Sequence, residues 1–276
     1  MTNRLSQSAP ENKFGSKSNN GNIGVLKMKE VLAFIEKKKQ EFAQTPFMKF
    51  LQDKSIDPRQ RLAWAPAFAP FAMSFKDFNR DILRKERADS QLQEMINQHS
   101  YEDGRHWVWF VQDMKLMGYD NPINYTDTLK FLWGEETIKV RQMAYDLFAI
   151  CTFEEDILMK LVVVESIEAT GNVALYEIAQ VAKELQQITK QHHPYFGESH
   201  FAKETGHIQA EMDDVEHFIE NIQLTEAQKD KAFVLVEKVF VDFTEAMDEM
   251  LAFAQKHPYD QPFITTGNIN QLRTAA

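Results

Sequence analysis

The sequence predicts an all-α protein, a single helical domain of about seven helices. Three observations carry this expectation. Only 10 Gly and 9 Pro occur in 276 residues, and runs of Val, Ile and Thr that would read as strands are scarce. Apolar residues recur at 233, 236, 240, 243, 247, 250 and 254, a near-heptad stripe suited to packing one helix on its neighbours. Just ahead of it, Thr225-Glu-Ala-Gln228 fits a capping box, with Thr at the N-cap and Gln three residues on.

In chain order, residues 1–24 are rich in Ser, Asn, Gln and Gly, a composition that cannot offset its own ordering entropy, so they read as a disordered polar tail. The domain proper is expected over 25–257. Leu26 to Phe42 carries helix-spaced apolar residues and ends at Pro46. Asp57-Pro58 reads as an N-cap followed by proline at the first helical position. The stretch to Glu86 is helical in composition with a break at Pro66 and Pro70, because an interior proline removes a hydrogen bond and clashes with the turn before it. Ala88 to Met117 reads as one long helix ending at Gly118. A further helix runs from Asp127, capped by Thr126 and interrupted near Gly134, to about Cys151. Glu154 to about Gln191 is helical with a bend near Thr170-Gly171. Pro194 and Gly197 introduce a helix to about Ile222. Residues 258–276 read as an irregular tail.

Bulk properties narrow the function. The net charge is −10, which argues against nucleic acid as a partner, since phosphate binding needs a basic surface. No apolar run reaches the roughly 18 residues of a membrane span, and the N-terminus lacks the apolar core of a signal peptide. Cys151 is the only cysteine, so the default setting is reducing and cytoplasmic. With no CxxC pair, thiolate zinc and iron–sulfur sites are excluded.

The stretch from His200 to His217 points to chemistry. At about 100° per residue, His200, Glu204 and His207 share one stripe of their helix. A polar stripe on a packed helix is costly unless something satisfies it, and a metal ion would. His99 and His106 are seven apart and so share a face, with Glu102 and Asp103 between them; Glu102 lies one turn before His106. Glu165 and Glu168 sit in the apolar run V-V-V-E-S-I-E-A-T-G. The three segments mix imidazole and carboxylate in a way that suits iron or manganese better than zinc. Trp107, Trp109 and Phe110 are placed to wall such a site from water. His192, His193 and His257 lack a partner pattern and read as surface or hydrogen-bonded residues. His217 with Asp214 reads as a surface pair.

The triplet H-x3-E-x2-H at 200–207, the His106 segment and the isolated acid between them in sequence resemble the heme-oxygenase-like di-iron oxidases and oxygenases. The resemblance covers most of 45–255, and its specific part is the three ligand segments, which also match in order. It implies a heme-oxygenase-like helical bundle. The ligand set it implies is Glu102, His106, Glu168, His200, Glu204 and His207, with His99 the alternative to Glu102 and Glu165 the alternative to Glu168. Two positions depart from the pattern: Glu204 stands where aspartate is usual, and His99 where many members carry glutamate. The resemblance further implies two ferrous ions per chain and dioxygen as co-substrate. The expected partner is a small-molecule substrate, with no nucleic acid or membrane, and a homodimer is compatible with this reading. True heme oxygenases take an axial histidine from the first helix; no histidine precedes His99, so heme degradation is disfavoured. The same fold also hosts metal-free enzymes, thiaminase-type hydrolases and a cofactorless quinone synthase. A non-enzymatic helical metal-binding protein is the third reading.

Overall fold

A computed structural model of the protein describes residues 26–120, 124–203 and 217–260. Among these residues there are helices and no strand, apart from an isolated antiparallel bridge between Lys27 and Gln223. The labelled helices are α1 (Met28–Phe42), α2 (Pro46–Gln52), α3 (Pro58–Arg61), α4 (Ala69–Asp77), α5 (Gln91–Asp103), α6 (His106–Leu116), α7 (Tyr125–Leu132), α8 (Ile138–Phe153), α9 (Ile157–Thr189) and α10 (Glu226–Lys256). A helical turn spans 198–203 and another 217–220. The tail read at 1–24, the ligands Glu204 and His207, and the chain from 261 on lie outside the described residues.

The two longest helices, α9 and α10, pack on each other, and α1 lies against both, while α8 covers α10. Every member of the α10 stripe from Val236 onward is buried, and Phe233 is partly so. The capping box forms as read: Thr225 Oγ1 accepts from the Gln228 amide at 3.2 Å, and Gln228 Oε1 accepts from the Thr225 amide at 3.0 Å. Asp57 caps α3 by accepting from the Arg59 amide at 2.8 Å. Glu249 of α10 does the same for α8, its carboxylate accepting from the amides of Lys139 and Val140. Four N-terminal amides of any helix lack an internal partner, so this single carboxylate fixes the two helices end to flank. Arg61 is buried; its guanidinium donates to the carbonyls of Leu51 and Ile56 and pairs with Glu184, tying α2 and α3 to α9.

Several expected boundaries moved, each for a local reason. Pro46 does not merely end α1: it opens α2, where its missing N–H is harmless. Pro66 and Pro70 likewise sit at the first turns of a 3-10 segment (Ala65–Phe68) and of α4, and the segment breaks there as read. A π-helical turn, Phe78–Leu83, follows α4. The helix read from Asp127 begins at Tyr125, after Asn124. The helix expected over 88–117 is two helices, parted at Gly104-Arg105. There Arg84 donates to Ser100 Oγ at 3.0 Å and to the Ser100 carbonyl at 2.6 Å. A methyl group at Gly104 would lie 2.9 Å from that same carbonyl. The break or bend expected at Thr170-Gly171 does not interrupt the helix, and α9 runs unbroken for 33 residues. Its buried apolar residues outweigh the low helix propensity of one glycine.

At the fold's centre is a run of touching aromatic rings. Phe47 meets Trp64, Trp64 meets Phe68 and Phe196, Phe68 meets Phe71, and Phe71 meets Phe75 and Phe243. Ring centroids stand 5.1–6.0 Å apart in these pairs, the range of favourable aromatic contact. No described helix is long and apolar enough to cross a membrane.

Two consequences can be measured. Thr225→Ala removes one side of the capping box and is expected to cost about 1 kcal/mol of stability, read as a lower denaturant midpoint at constant slope. Cys151 is fully buried, and burial pushes its thiol up to about 12. At pH 8 the native protein is therefore expected to leave a thiol-specific reagent unconsumed over an hour, and to consume one equivalent once unfolded. Rapid reaction in the native state would show that the helix α8 face is open.

Candidate metal centre

The helix break at Gly104 builds the site. His99 and Asp103 close α5, one helical turn apart, and His106 opens α6. All three side chains converge although they belong to two helices. His99 Nε2 lies 3.2 Å from Asp103 Oδ2, and His99 Nδ1 lies 3.7 Å from Glu168 Oε1 on α9. The other oxygen of Asp103, Oδ1, lies 3.7 Å from His106 Nδ1. His106 Nδ1 in turn lies 3.1 Å from His200 Nε2. Asp103 thus has one oxygen toward His99 and the other toward the His106–His200 pair. Asp103, His106 and His200 are buried; His99 and Glu168 are partly so.

The tautomers follow from the partners. His200 Nδ1 lies 2.8 Å from the Tyr195 carbonyl, which only accepts, so Nδ1 carries the proton. His200 Nε2 is then the nitrogen that faces His106 Nδ1, at 3.1 Å. A carbonyl of this kind, holding one ring nitrogen so that the other points into a site, is what orients imidazole ligands of metals. Trp109 stacks on His106, centroids 4.9 Å apart at 19°, and meets His200 edge-on. Lys203 lies over the outer face of Trp109.

His200 is held in place by the segment before it. The amides of Tyr195 and Phe196 both donate to Asp113 Oδ2, at 2.9 and 2.8 Å. Asp113 is on α6, two turns beyond His106. The turn closes at Gly197, whose amide donates to the His193 carbonyl and where a methyl group would lie 2.3 Å from that oxygen. Only glycine fits there. His193, read as a surface or hydrogen-bonded residue, is instead buried: its Nδ1 stands 3.6 Å from Asp113 Oδ1, and neither ring nitrogen has a hydrogen-bond partner among the described residues.

Of the ligands expected from sequence, the structure brings His106, Glu168 and His200 together, along with the alternative His99. His99, Asp103 and Glu168 each offer a donor atom, all within 4.8 Å of one another. Glu102 and Glu165 are partly buried and are not members of that group. Asp103, passed over in the sequence as one of two acids between the histidines, takes the central place. Its signal was the spacing D-x2-H, which spans one helical turn. Asp113 was missed altogether; its signal was a single acid seven residues after His106 in the apolar run H-W-V-W-F-V-Q-D. Trp107 borders the cavity and Phe110 is core. His257 is remote from the site, stacked on Phe253 and paired with Glu136.

A cavity opens from this cluster into the aromatic centre of the fold. Asp103, His106, Glu168 and His200 border it at one wall, and Trp64, Phe68, Phe71, Phe75, Phe243 and Met247 are among the side chains that line the rest. About 100 Å³ is open to the centre of a water-sized molecule, several times what a single buried water needs, roughly 10–15 Å³. The donors are nitrogen and carboxylate oxygen with no thiolate, a set that fits iron or manganese.

No family model matches the chain, and no curated protein does. Among solved structures it is similar to a domain of unknown function with a heme oxygenase-like fold from Shewanella denitrificans OS217. The two are 14% identical, with a TM-score of 0.58 over 84% of this chain and 95% of that one. At that identity the likeness speaks to the fold alone. The chain has an all-α, heme oxygenase-like fold.

Proposed function

We propose that this protein is a non-heme di-iron oxidase or oxygenase, activating dioxygen to oxidise a small-molecule substrate. The observation that carries the reading is the placement of Asp103, with one carboxylate oxygen toward His99 and the other toward His106 and His200. A carboxylate between two imidazole groups is suited to keeping two cations close. His99 and Glu168 would hold one ion and His106 and His200 the other, each sharing Asp103. Two ions need about six to seven ligands in all, and Glu204 and His207, from the same triplet as His200, complete the count by resemblance. Ferrous ions bound there would supply the electrons and open coordination positions for dioxygen.

The chain's own groups do the rest. The Tyr195 carbonyl keeps the His200 proton on Nδ1 and leaves Nε2 to face the site. Trp109 fixes the plane of His106 by stacking. The aromatic lining excludes water from the space where substrate meets the metal wall, which protects a reactive oxidant from quenching. The pair Asp103 and Glu168 places two carboxylates within a group of mostly buried side chains, an arrangement expensive without cations to offset it.

The test begins with anaerobic loading of the protein with ferrous iron. Two irons per chain and oxygen uptake on mixing with dioxygen are expected. Asp103→Asn is expected to lower the iron content to one per chain or less, and His200→Ala to abolish binding of at least one ion. His257→Ala is expected to leave iron content unchanged. Two irons retained in Asp103→Asn would remove the bridging role on which the reading stands; no bound iron in the parent protein would remove the reading itself.

A further inference from the structure

Gly171 lies in the interior of α9, the position where glycine is the poorest helix former after proline. The fold gives no reason for it among the described residues. Methyl groups at Gly104, Gly134 and Gly197 would strike backbone carbonyls at 2.9, 2.4 and 2.3 Å, whereas one at Gly171 would meet no atom of the described residues within 4 Å. Its φ is an ordinary helical one, so no left-handed geometry demands glycine either. The position borders the cavity, three residues beyond Glu168 on the same helix. The room that a side chain would take is therefore cavity room.

The cavity's chemistry says what would use that room. Among the described lining residues there is no Lys or Arg, and every imidazole and carboxylate belongs to the metal wall: Asp103, His106, Glu168 and His200. Away from that wall the described lining is mostly Phe, Trp, Met and aliphatic side chains, with Thr170, Asn172 and Tyr195 its polar members. The Thr170 hydroxyl is already donated to the Ile167 carbonyl at 2.7 Å. A polar group carried past Asn172 and Tyr195 among the Phe, Trp and Met side chains would lose its water without a matching partner, which is costly.

We infer that the cavity takes a molecule with one polar head and an apolar body, the head at the metal wall and the body passing over Gly171. The missing side chain at Gly171 sets the room for that body and so determines which substrates enter. This deepens the oxidase reading and rests on it for the placement of the head. The same argument selects against sugars, phosphorylated compounds and molecules charged at both ends.

Uncharged probes separate the two readings, because their binding does not require a metal. Titration calorimetry would compare 1-octanol with octane-1,8-diol on the full chain, both metal-free and loaded anaerobically with ferrous iron. One 1-octanol per chain is expected, with the diol at least tenfold weaker. Gly171→Leu should weaken 1-octanol at least tenfold while keeping the parent's iron content. Gly171→Ala should melt at or above the parent's temperature, since no described atom opposes the methyl group. Equal affinity for the two alcohols, no binding of 1-octanol, or full affinity in a folded Gly171→Leu would each overturn the inference. A lower melting temperature for Gly171→Ala would also overturn it, by showing that the fold itself needs the glycine. A chain that binds 1-octanol as expected but holds no iron would overturn the oxidase reading alone. One that holds two irons but does not discriminate the alcohols would overturn this inference alone.

Discussion

The carboxylate of Asp113 is the fixture on which the site depends. It is buried, and one oxygen takes the amides of both Tyr195 and Phe196. Hydrogen bonds to a charged acceptor contribute about 1.5–3 kcal/mol each, so this one group anchors the whole turn at 193–197 to α6. The same turn presents the Tyr195 carbonyl to His200, and the same helix begins with His106. The distance between the two imidazoles is therefore set through Asp113 rather than by direct packing of two long helices. His193 sits against the other oxygen of Asp113 at 3.6 Å, a neighbour of the right kind for an anion that has no lysine or arginine partner among the described residues.

What was legible in the sequence was what local rules govern. Asp57-Pro58, the Thr225 box and the α10 stripe each state their structure within a few residues, and each formed. The split of α5 from α6 was not legible locally: Arg84, 16 positions back in the chain, donates to the Ser100 carbonyl at the end of α5. Without that contact the segment from 88 to 117 has the composition of one helix. The place of Asp103 depends on the same break: it closes α5 just before the chain turns to His106. Gly171 misled in the other direction. Read as a break or bend, it sits within one continuous helix, and α9 is held by neighbours along its length. The resemblance of the ligand segments pointed to the fold, and the structural likeness supports that fold without speaking to the chemistry.

The electrostatic layout is uneven by design of the chain. Net charge is −10, and many surface acids pair with Lys or Arg, such as Glu237 with Lys38 and Glu30 with Lys229. The site gathers acids with imidazoles instead, and no lysine or arginine borders its cavity among the described residues. An imidazole can be neutral, so it need not cancel the charge of the neighbouring acids as a lysine would. The aromatic centre next to it lowers the local dielectric and sharpens every such interaction.

The sulfur atoms of this chain are distributed in a way that bears on its wear. The single thiol, Cys151, is buried and does not border the cavity, while two thioethers, Met247 and Met250, line it. An oxidant escaping from the metal wall would meet the thioethers and not the thiol. Methionine sulfoxide is polar and reversible by reductases, so damage would first dull the apolar end of the cavity and spare the fold. Under the proposed oxidase reading, ageing would then be a loss of substrate affinity that repair can undo, with the helices still in place.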